Sequence, residues 1–201
     1  TPSDFPLAGL PQAQLDQFPL APRQVADVYP LSAMQQGMLF HSLYEQATGD
    51  YINQVRLDVE GLDPQRFQQA WQAAVDNHDI LRSSFVWQGQ LARPVQVVHK
   101  QLNMPFRVLD WRDRDDCQSD LNALAAAEQA QGFDLSQGPL LRMVVVRLDE
   151  QRCHLIYTNH HILMDGWSNS QLLGEVLQRY SGVAQPPLAG RYRDYIEWLQ
   201  R

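Results

Sequence analysis

Nine consecutive residues decide how this chain is interpreted: His160-His161-Ile162-Leu163-Met164-Asp165-Gly166-Trp167-Ser168. They follow a strand-like run at residues 153–158 and precede a helical pattern that begins near Ser168. Two adjacent imidazoles, an acid four residues after the second one and a glycine directly behind the acid form a compact polar group. Catalytic groups are common where a strand leads into a helix, because the rigid scaffold directs a short loop towards a cleft. We therefore expect a functional site at this junction.

Three interpretations of the segment are open on the residues alone. The first is acyl transfer, in which one imidazole handles a proton, since the ordinary histidine pKa of about 6.5 lies near working pH. The second is a metal site, because histidine and aspartate are both ligands, although no further ligand lies at a suitable spacing nearby. The third is purely structural: one histidine belongs to the core, and Asp165-Gly166 is a turn before the helix.

Each residue of the segment favours one of these interpretations. Adjacent residues at a strand end point to opposite faces, so only one imidazole can face a cleft. We assign His160 to the core and His161 to the site. An acid on a buried loop normally pairs with an arginine, so Asp165 is expected to fix the loop. Gly166 is expected to allow a positive φ or a close approach of substrate to the backbone.

Composition argues against several classes of partner. The chain has 201 residues, enough for one substantial core or two small ones. A net charge of −7 and the lack of a basic run argue against nucleic acid and anionic membranes. No apolar run reaches the ~20 residues that a membrane span needs. Cys117 and Cys153 are far apart and in no metal-like spacing, which predicts free thiols in a reducing compartment and hence a cytoplasmic protein without a metal site.

Hydrophobic periodicity predicts a mixture of strands and helices, and hence an α/β sandwich. Residues 1–30 are rich in proline and glutamine, which indicates a linker that packs onto the body. Ser32 and Gln35 form a capping-box pattern that predicts a helix from Ser32, and Asp63-Pro64 is typical of a helix start. The other predicted elements are strands at 52–59, 80–87, 93–99, 104–109, 140–148 and 152–158, and helices at 119–130, 168–180 and 192–199.

Four ordered segments resemble motifs of the condensation domains of nonribosomal peptide synthetases, which are relatives of chloramphenicol acetyltransferase. The His-His-xxx-Asp-Gly segment is one of them. The others are residues 31–40, 77–85 and 192–198, and residues 132–142 are also typical of the family. Within 77–85, Asn77 replaces the usual first arginine. Three residues of these motifs are expected to serve packing or ion pairs: Arg82, Phe85 and Trp198.

The resemblance extends over only the first half of such a domain. It implies an N-terminal lobe at residues 31–201, preceded by the linker at 1–30, with the C-terminal lobe absent. The implied fold is the chloramphenicol acetyltransferase-like N-lobe, a two-layer sandwich of mixed β-sheet and helices. Because the family's tunnel lies between two lobes, the isolated lobe is expected to be inactive as an acyltransferase.

Peptide-bond formation is the activity that the resemblance implies. An upstream donor carrier domain presents an aminoacyl or peptidyl thioester, and a downstream acceptor carrier presents the attacking amine. Both substrates hang on phosphopantetheine, and no cofactor is expected to bind directly. His161 is implied at the middle of the tunnel, with Asp165 and Gly166 beside it and with His160, Trp167 and Ser168 as further motif positions. Arg82 is one candidate partner for Asp165, and an arginine of the missing C-terminal lobe is the other.

The subtype and the rival functions follow from the same resemblance. Epimerization domains share the histidine pair but usually depart from Asp-Gly-Trp-Ser, so peptide-bond formation is favoured. Residues 1–7 resemble the tail that trails an epimerization domain, which implies a D-configured donor and neighbouring synthetase domains as partners, besides the missing C-terminal lobe. The alternatives are an epimerization-domain lobe and a non-catalytic docking platform of the same fold. The presence of both His161 and Asp165 argues against the platform.

Overall fold

The computed structural model describes residues 1–44, 49–164, 169–188 and 190–201. Within these ranges the strands form two sheets. The first is antiparallel, with the order β1 (Val25–Pro30), β4 (Val95–His99) and β3 (Ser83–Val86). The second has the order β2 (Ile52–Glu60), β7 (Arg152–His160), β6 (Leu141–Arg147) and β5 (Phe106–Asp110). Its pairs are antiparallel except for β5 and β6, which run parallel.

Helices connect and cover these sheets. They are α1 (Gln12–Leu15), α2 (Ala33–Tyr44), α3 (Pro64–Asn77), α4 (Gln118–Gln131), α5 (Asn169–Tyr180) and α6 (Tyr192–Leu199). The predicted capping box is confirmed, since the Ser32 hydroxyl accepts from the Gln35 backbone N–H and the Gln35 side chain accepts from the Ser32 N–H, each at 3.1 Å. The predicted cap at Asp63 is confirmed as well, because its carboxylate accepts from the backbone N–H of Gln65 at 3.0 Å.

Both faces of the second sheet are buried. On one face, the alternate residues Leu155 and Tyr157 of β7 pack with α3 and α5, and the Trp71 ring centroid lies 4.8 Å from that of Tyr157. On the other face, Ile156 packs against α4 through Ala125. We call these the α3–α5 side and the α4 side. Because β7 is central and covered on both sides, the elements that flank it hold its C-terminal end in place.

Two segments differ from the prediction. The sequence pattern predicts strand at residues 80–82, but Asp79–Arg82 form a 3-10 turn and β3 begins only at Ser83. The turn is stabilised because the Arg82 guanidinium reaches back to the last carbonyls of α3. Val25–Pro30 were included in the predicted linker, but they form β1 and pair with β4. Their pattern is masked by a bulge between Val25 and Asp27 and by the terminal proline.

The residues before β1 do pack onto the body. Ala8 and Leu10 are buried in a cluster with residues of the first sheet, among them Val28, Val95 and Val97. At the other end of the chain, α6 buries Ile196 against Tyr29 of β1. Trp198 on the same helix is 66% exposed, and its ring stacks on that of Tyr195 with the centroids 6.4 Å apart, whereas Phe85 is buried.

Candidate active site

Strand β7 ends at the two adjacent histidines. All of its residues from Cys153 to His160 are buried, and a 3-10 turn begins at His161. Two backbone hydrogen bonds fix this end. The His160 N–H donates to the Leu140 carbonyl at 3.0 Å, and the His161 N–H donates to the Tyr51 carbonyl at 2.7 Å. The backbone of the motif is therefore anchored from both neighbouring strands.

The two imidazoles occupy opposite environments, as expected for adjacent residues at a strand end. His160 is 4% exposed, and its Nδ1 accepts a hydrogen bond from the Ile162 N–H at 3.0 Å. Burial, together with the neighbouring His161, lowers the pKa of His160 to about 4. His160 is therefore a neutral residue of the interior near pH 7. His161 is exposed.

The exposed imidazole has a side-chain partner on the edge strand. Asn53 of β2 lies directly opposite Asn159 of β7, and its Nδ2 is 2.9 Å from Nδ1 of His161. Asn159 in turn donates to Oδ1 of Asn169, the first residue of α5, at 3.2 Å. The α3–α5 side of the sheet, apolar along most of its length, thus ends in four polar side chains: Asn53, Asn159, His161 and Asn169. The sequence patterns did not single out the three asparagines. The one signal was that Asn53 alternates in step with the apolar residues of β2 and therefore lies on the same face of the sheet.

The structure does not describe four of the other predicted site residues. Asp165, Gly166, Trp167 and Ser168 lie outside the described residues. Their predicted roles therefore stay predictions.

Arg82, the candidate partner for Asp165, is only 7% exposed and has several partners. It donates to the carbonyls of Val75, Asp76 and His99 at 2.9, 2.6 and 3.0 Å, and to the Asp79 carboxylate at 3.0 Å. These contacts clamp the end of α3 to the turn that precedes β3. The expectation of an ion-pair residue is confirmed, with Asp79 as the partner.

A buried charge cluster borders the α4 side of the site. Arg142 of β6 donates to the Glu128 carboxylate at 2.7 Å and to the Gly132 carbonyl at 2.7 Å, and its guanidinium lies 4.2 Å from the Phe133 ring centroid. Arg107 donates to the other Glu128 oxygen at 2.9 Å. Since Arg142 and Glu128 are both nearly inaccessible, they fix the chain where α4 ends.

This anchored segment forms one wall of a pocket of ≈ 310 Å³ beside His160. The Tyr51 ring lines this pocket, with its centroid 6.1 Å from that of His160 and 5.3 Å from that of His41. Its lining includes His41, Tyr51, Trp87, Gly132, Phe133 and His160. The pocket thus adjoins the buried imidazole, while His161 lies at the surface.

Metal and membrane interpretations find no support in the described ranges. No group of three or more His, Cys, Asp or Glu side chains within them is placed to hold a metal ion. None of the helices described is long and apolar enough to cross a membrane. Cys117 and Cys153 are free thiols, and burial raises the pKa of Cys153.

Comparison with known proteins establishes the family. The sequence model of the Condensation domain family matches residues 25–201. The chain belongs to the condensation-domain family. The resemblance seen in the four motifs is confirmed, and the family match begins at the first residue of β1.

Relatives of this condensation-domain chain are large peptide synthetases. One of the linear gramicidin synthase proteins of Brevibacillus parabrevis is 42% identical over 208 residues, which cover 100% of this chain and 3% of that protein. One of the mycosubtilin synthase proteins of Bacillus subtilis is 36% identical over 212 residues, covering 99% of this chain and 8% of that protein. The chain spans only a small part of the length of these relatives.

Solved structures show the same fold. The starter condensation domain of rhizomide synthetase has a TM-score of 0.72 at 24% identity, covering 86% of this chain and 45% of that one. The EpoB cyclization-docking bidomain from Sorangium cellulosum has a TM-score of 0.71 at 24% identity, covering 86% and 35%. The predicted α/β class of the chloramphenicol acetyltransferase-like type is confirmed, with the added feature that the strands divide into two sheets.

Proposed function

We propose that this chain is the N-terminal lobe of a condensation domain that joins two carrier-bound substrates through a peptide bond. The observation that carries the proposal is the separation of the two histidines. Burial makes His160 part of the scaffold, whereas His161 is anchored at its backbone and open at its side chain. A single accessible imidazole on a rigid strand end suits a reaction in which one group must be oriented against another.

The reaction is an acyl transfer between thioesters. The amine of the acceptor attacks the thioester carbonyl of the donor, a C–N bond forms, and the C–S bond breaks to release the phosphopantetheine thiol. An α-amine with a pKa near ~7.7–8.0 is partly neutral at pH 7, so a strong initial base is not required. His161 then positions the amine and takes or stabilises the proton of the zwitterionic tetrahedral intermediate.

The remaining motif residues support this centre. We assign Asp165 to organising the loop after the 3-10 turn and Gly166 to the close approach of substrate, with Trp167 and Ser168 as further motif positions. Arg82 is assigned to the scaffold, because four of its hydrogen bonds already go to the end of α3, the following turn and β4. We therefore propose that Asp165 pairs with another arginine.

Partners and domain limits follow from the same proposal. Donor and acceptor carrier domains deliver the substrates on phosphopantetheine, and a second lobe and neighbouring synthetase domains complete the enzyme. The coverage of only 45% of a solved starter condensation domain supports a second lobe. We place the start of the lobe at Val25, because β1 belongs to the first sheet, and keep residues 1–24 as the packed linker. A D-configured donor remains the proposed subtype.

The test uses the two-lobe domain that contains this chain, with matched carriers loaded with donor and acceptor. His161→Ala should lower dipeptide formation, followed by mass spectrometry, by roughly 10²–10⁴-fold, the typical cost of losing one positioned proton-handling group. His154→Ala is the matched control, because His154 lies on the same strand and contacts Asp58 at 2.7 Å. Near wild-type turnover by the His161 variant would contradict the proposal. So would exchange of the α-proton of one loaded substrate without any joining, which would identify an epimerization lobe.

A further inference from the structure

The contact between Asn53 and His161 assigns a role to a residue outside the four motifs. Asn53 pairs with Asn159 across β2 and β7, so it lies diagonally opposite His161 on the same side of the sheet. Diagonal neighbours on one face are within reach of polar side chains of this size. The observed separation of 2.9 Å between Asn53 Nδ2 and His161 Nδ1 is that of a hydrogen bond.

The direction of this hydrogen bond determines where the imidazole carries its proton. With the Asn53 amide nitrogen placed towards the ring, Nδ1 of His161 accepts with its lone pair, because an amide nitrogen only donates. A neutral imidazole whose Nδ1 accepts carries its proton on Nε2. The backbone of His161 is already fixed by its hydrogen bond to Tyr51, so Asn53 restrains the freedom that is left, the rotation of the ring.

We propose that Asn53 is a positioning residue that holds His161 in the Nε2-protonated tautomer and presents the Nε2–H to the reacting centre. The tautomer follows from the orientation of the Asn53 amide, whereas its consequence for catalysis rests on the proposed function. An Nε2 that already carries a proton cannot take a second one from the amine while the ring stays neutral. A protonated Nε2 also cannot accept a hydrogen bond from the ammonium proton, so this tautomer replaces both proton-accepting roles of His161 by stabilisation of the developing oxyanion.

The chemical step can be written with this tautomer. As the amine attacks, negative charge develops on the carbonyl oxygen, and the Nε2–H donates a hydrogen bond to that oxygen. When the intermediate collapses, the C–S bond breaks, and the proton of the ammonium ends on the departing thiolate to give the thiol. Atoms and charge balance without any oxidant, metal or further base.

The neighbouring residue supplies a matched control. Gln54 is also an amide on β2, but it points to the α4 side, where its Nε2 donates to the Ala125 carbonyl at 2.8 Å. Truncation of Gln54 therefore disturbs the same strand without touching His161. A general perturbation of β2 would affect both variants, whereas loss of the tautomer restraint affects only the Asn53 variant.

The first experiment measures the tautomer directly, on this chain labelled with ring-15N histidine. His161 signals are assigned by their loss in His161→Gln. In the wild type we expect a protonated Nε2 and an unprotonated Nδ1, and Gln54→Ala should leave this pattern unchanged. Asn53→Ala should give a mixture of tautomers, and Asn53→Asp should move the proton to Nδ1, since a carboxylate accepts only. A wild-type ring with its proton on Nδ1, or a pattern that Asn53→Ala does not change, overturns the proposal.

The second experiment measures dipeptide formation in the two-lobe domain. Asn53→Ala should lower kcat roughly 10–100-fold with little change in KM, because misplacement of a reacting group reduces the rate after binding. Asn53→Asp should be at least as slow, and Gln54→Ala should keep its kcat. Full activity of Asn53→Asp with an inverted tautomer overturns the catalytic part. Full activity of His161→Ala, with the wild-type tautomer as expected, refutes the proposed function and leaves the tautomer assignment standing.

Discussion

The two sides of the second sheet differ in how they hold the end of β7. On the α4 side, Arg142 and Glu128 form a buried ion pair, and the neutral imidazole of His160 lies nearby in the interior. On the α3–α5 side, neutral hydrogen bonds link Asn53 to His161 and Asn159 to Asn169. The ion pair joins β6, the neighbour of β7, to α4, whereas the amides contact the end of β7 itself.

This difference shows how a rigid strand can present an accessible group. The charged side leaves little freedom, because a buried ion pair that loses one partner leaves an uncompensated charge in the interior. The amide side restrains the direction of the imidazole at a lower energetic cost, and His161 keeps contact with solvent. We expect stability to depend mainly on the α4 side and activity mainly on the α3–α5 side.

The largest effect on stability is expected from Arg142→Met. It removes the more buried of the two arginine partners of Glu128 and the donor to the Gly132 carbonyl. Because Arg107 still contacts the carboxylate, the free energy of unfolding should fall by about 3 kcal/mol, the lower end of the range for a broken buried ion pair. Urea unfolding followed by circular dichroism measures it. Arg107→Met is the control, because its side chain is 55% exposed, and it should cost less than about 1 kcal/mol.

A double variant separates the charge from the packing. Replacing both Arg142 and Glu128 by apolar residues of similar volume should recover most of the loss, since no lone charge is then buried. If the single and double variants are equally unstable, the lost contacts to Gly132 and Phe133 matter more than the charge. In that case the contrast between a charged side and an amide side does not hold.

The second prediction concerns the pH dependence that His160 contributes. Its pKa in the folded chain is about 4, below the ordinary value of about 6.5, so between these pH values the unfolded chain binds a proton that the folded chain does not. The stability is present above pH 6.5 and falls as the pH drops towards 4, by about 2 kcal/mol between pH 7 and 5. Urea midpoints at the two pH values measure it.

Two variants test whether this dependence belongs to the buried histidine. His160→Gln should remove most of the loss between pH 7 and 5, while His161→Gln should retain it. His99 contributes in the same direction, because burial, together with Arg82, lowers its pKa, so a residual slope is expected in both variants. If the loss of stability between pH 7 and 5 is unchanged in His160→Gln, the buried imidazole of His160 is not the source of the pH dependence.

The sequence predicted most of the elements that position the site, because they are built from local patterns. The capping box at Ser32 and the Asp63 cap are short-range signals, and both capped helices were found. The apolar run before His160 predicted the buried strand β7. The opposed environments of His160 and His161 followed from the alternation of side chains along a strand.

The features that could not be predicted depend on distant residues. The contact of Asn53 with His161 and the contact of Arg142 with Glu128 join residues from different strands and helices, and no local pattern reveals a pairing register. Strand β1 was hidden because its short run follows a proline-rich stretch and contains a bulge. The apolar residues of Asp79–Arg82 suit a strand or a turn, so their pattern predicts strand, and the contact that decides for the turn comes from the Arg82 side chain.

The smallest effect is expected on the amide side, from Asn169→Ala. This change removes the acceptor of the buried Asn159 amide at the start of α5 and should lower the free energy of unfolding by about 1 kcal/mol, the typical net value of one neutral hydrogen bond. Asn169→Asp keeps an acceptor oxygen and also places a negative charge at a helix N-terminus, so it should be as stable as the wild type or more stable. Urea unfolding of both variants at pH 7 decides between them. If the aspartate variant loses as much as the alanine variant, the hydrogen bond does not hold α5 to β7. A loss for Asn169→Ala as large as that for Arg142→Met would show that the amide side is as decisive for stability as the charged one. His161 would then be held by a rigid framework on both sides of the sheet.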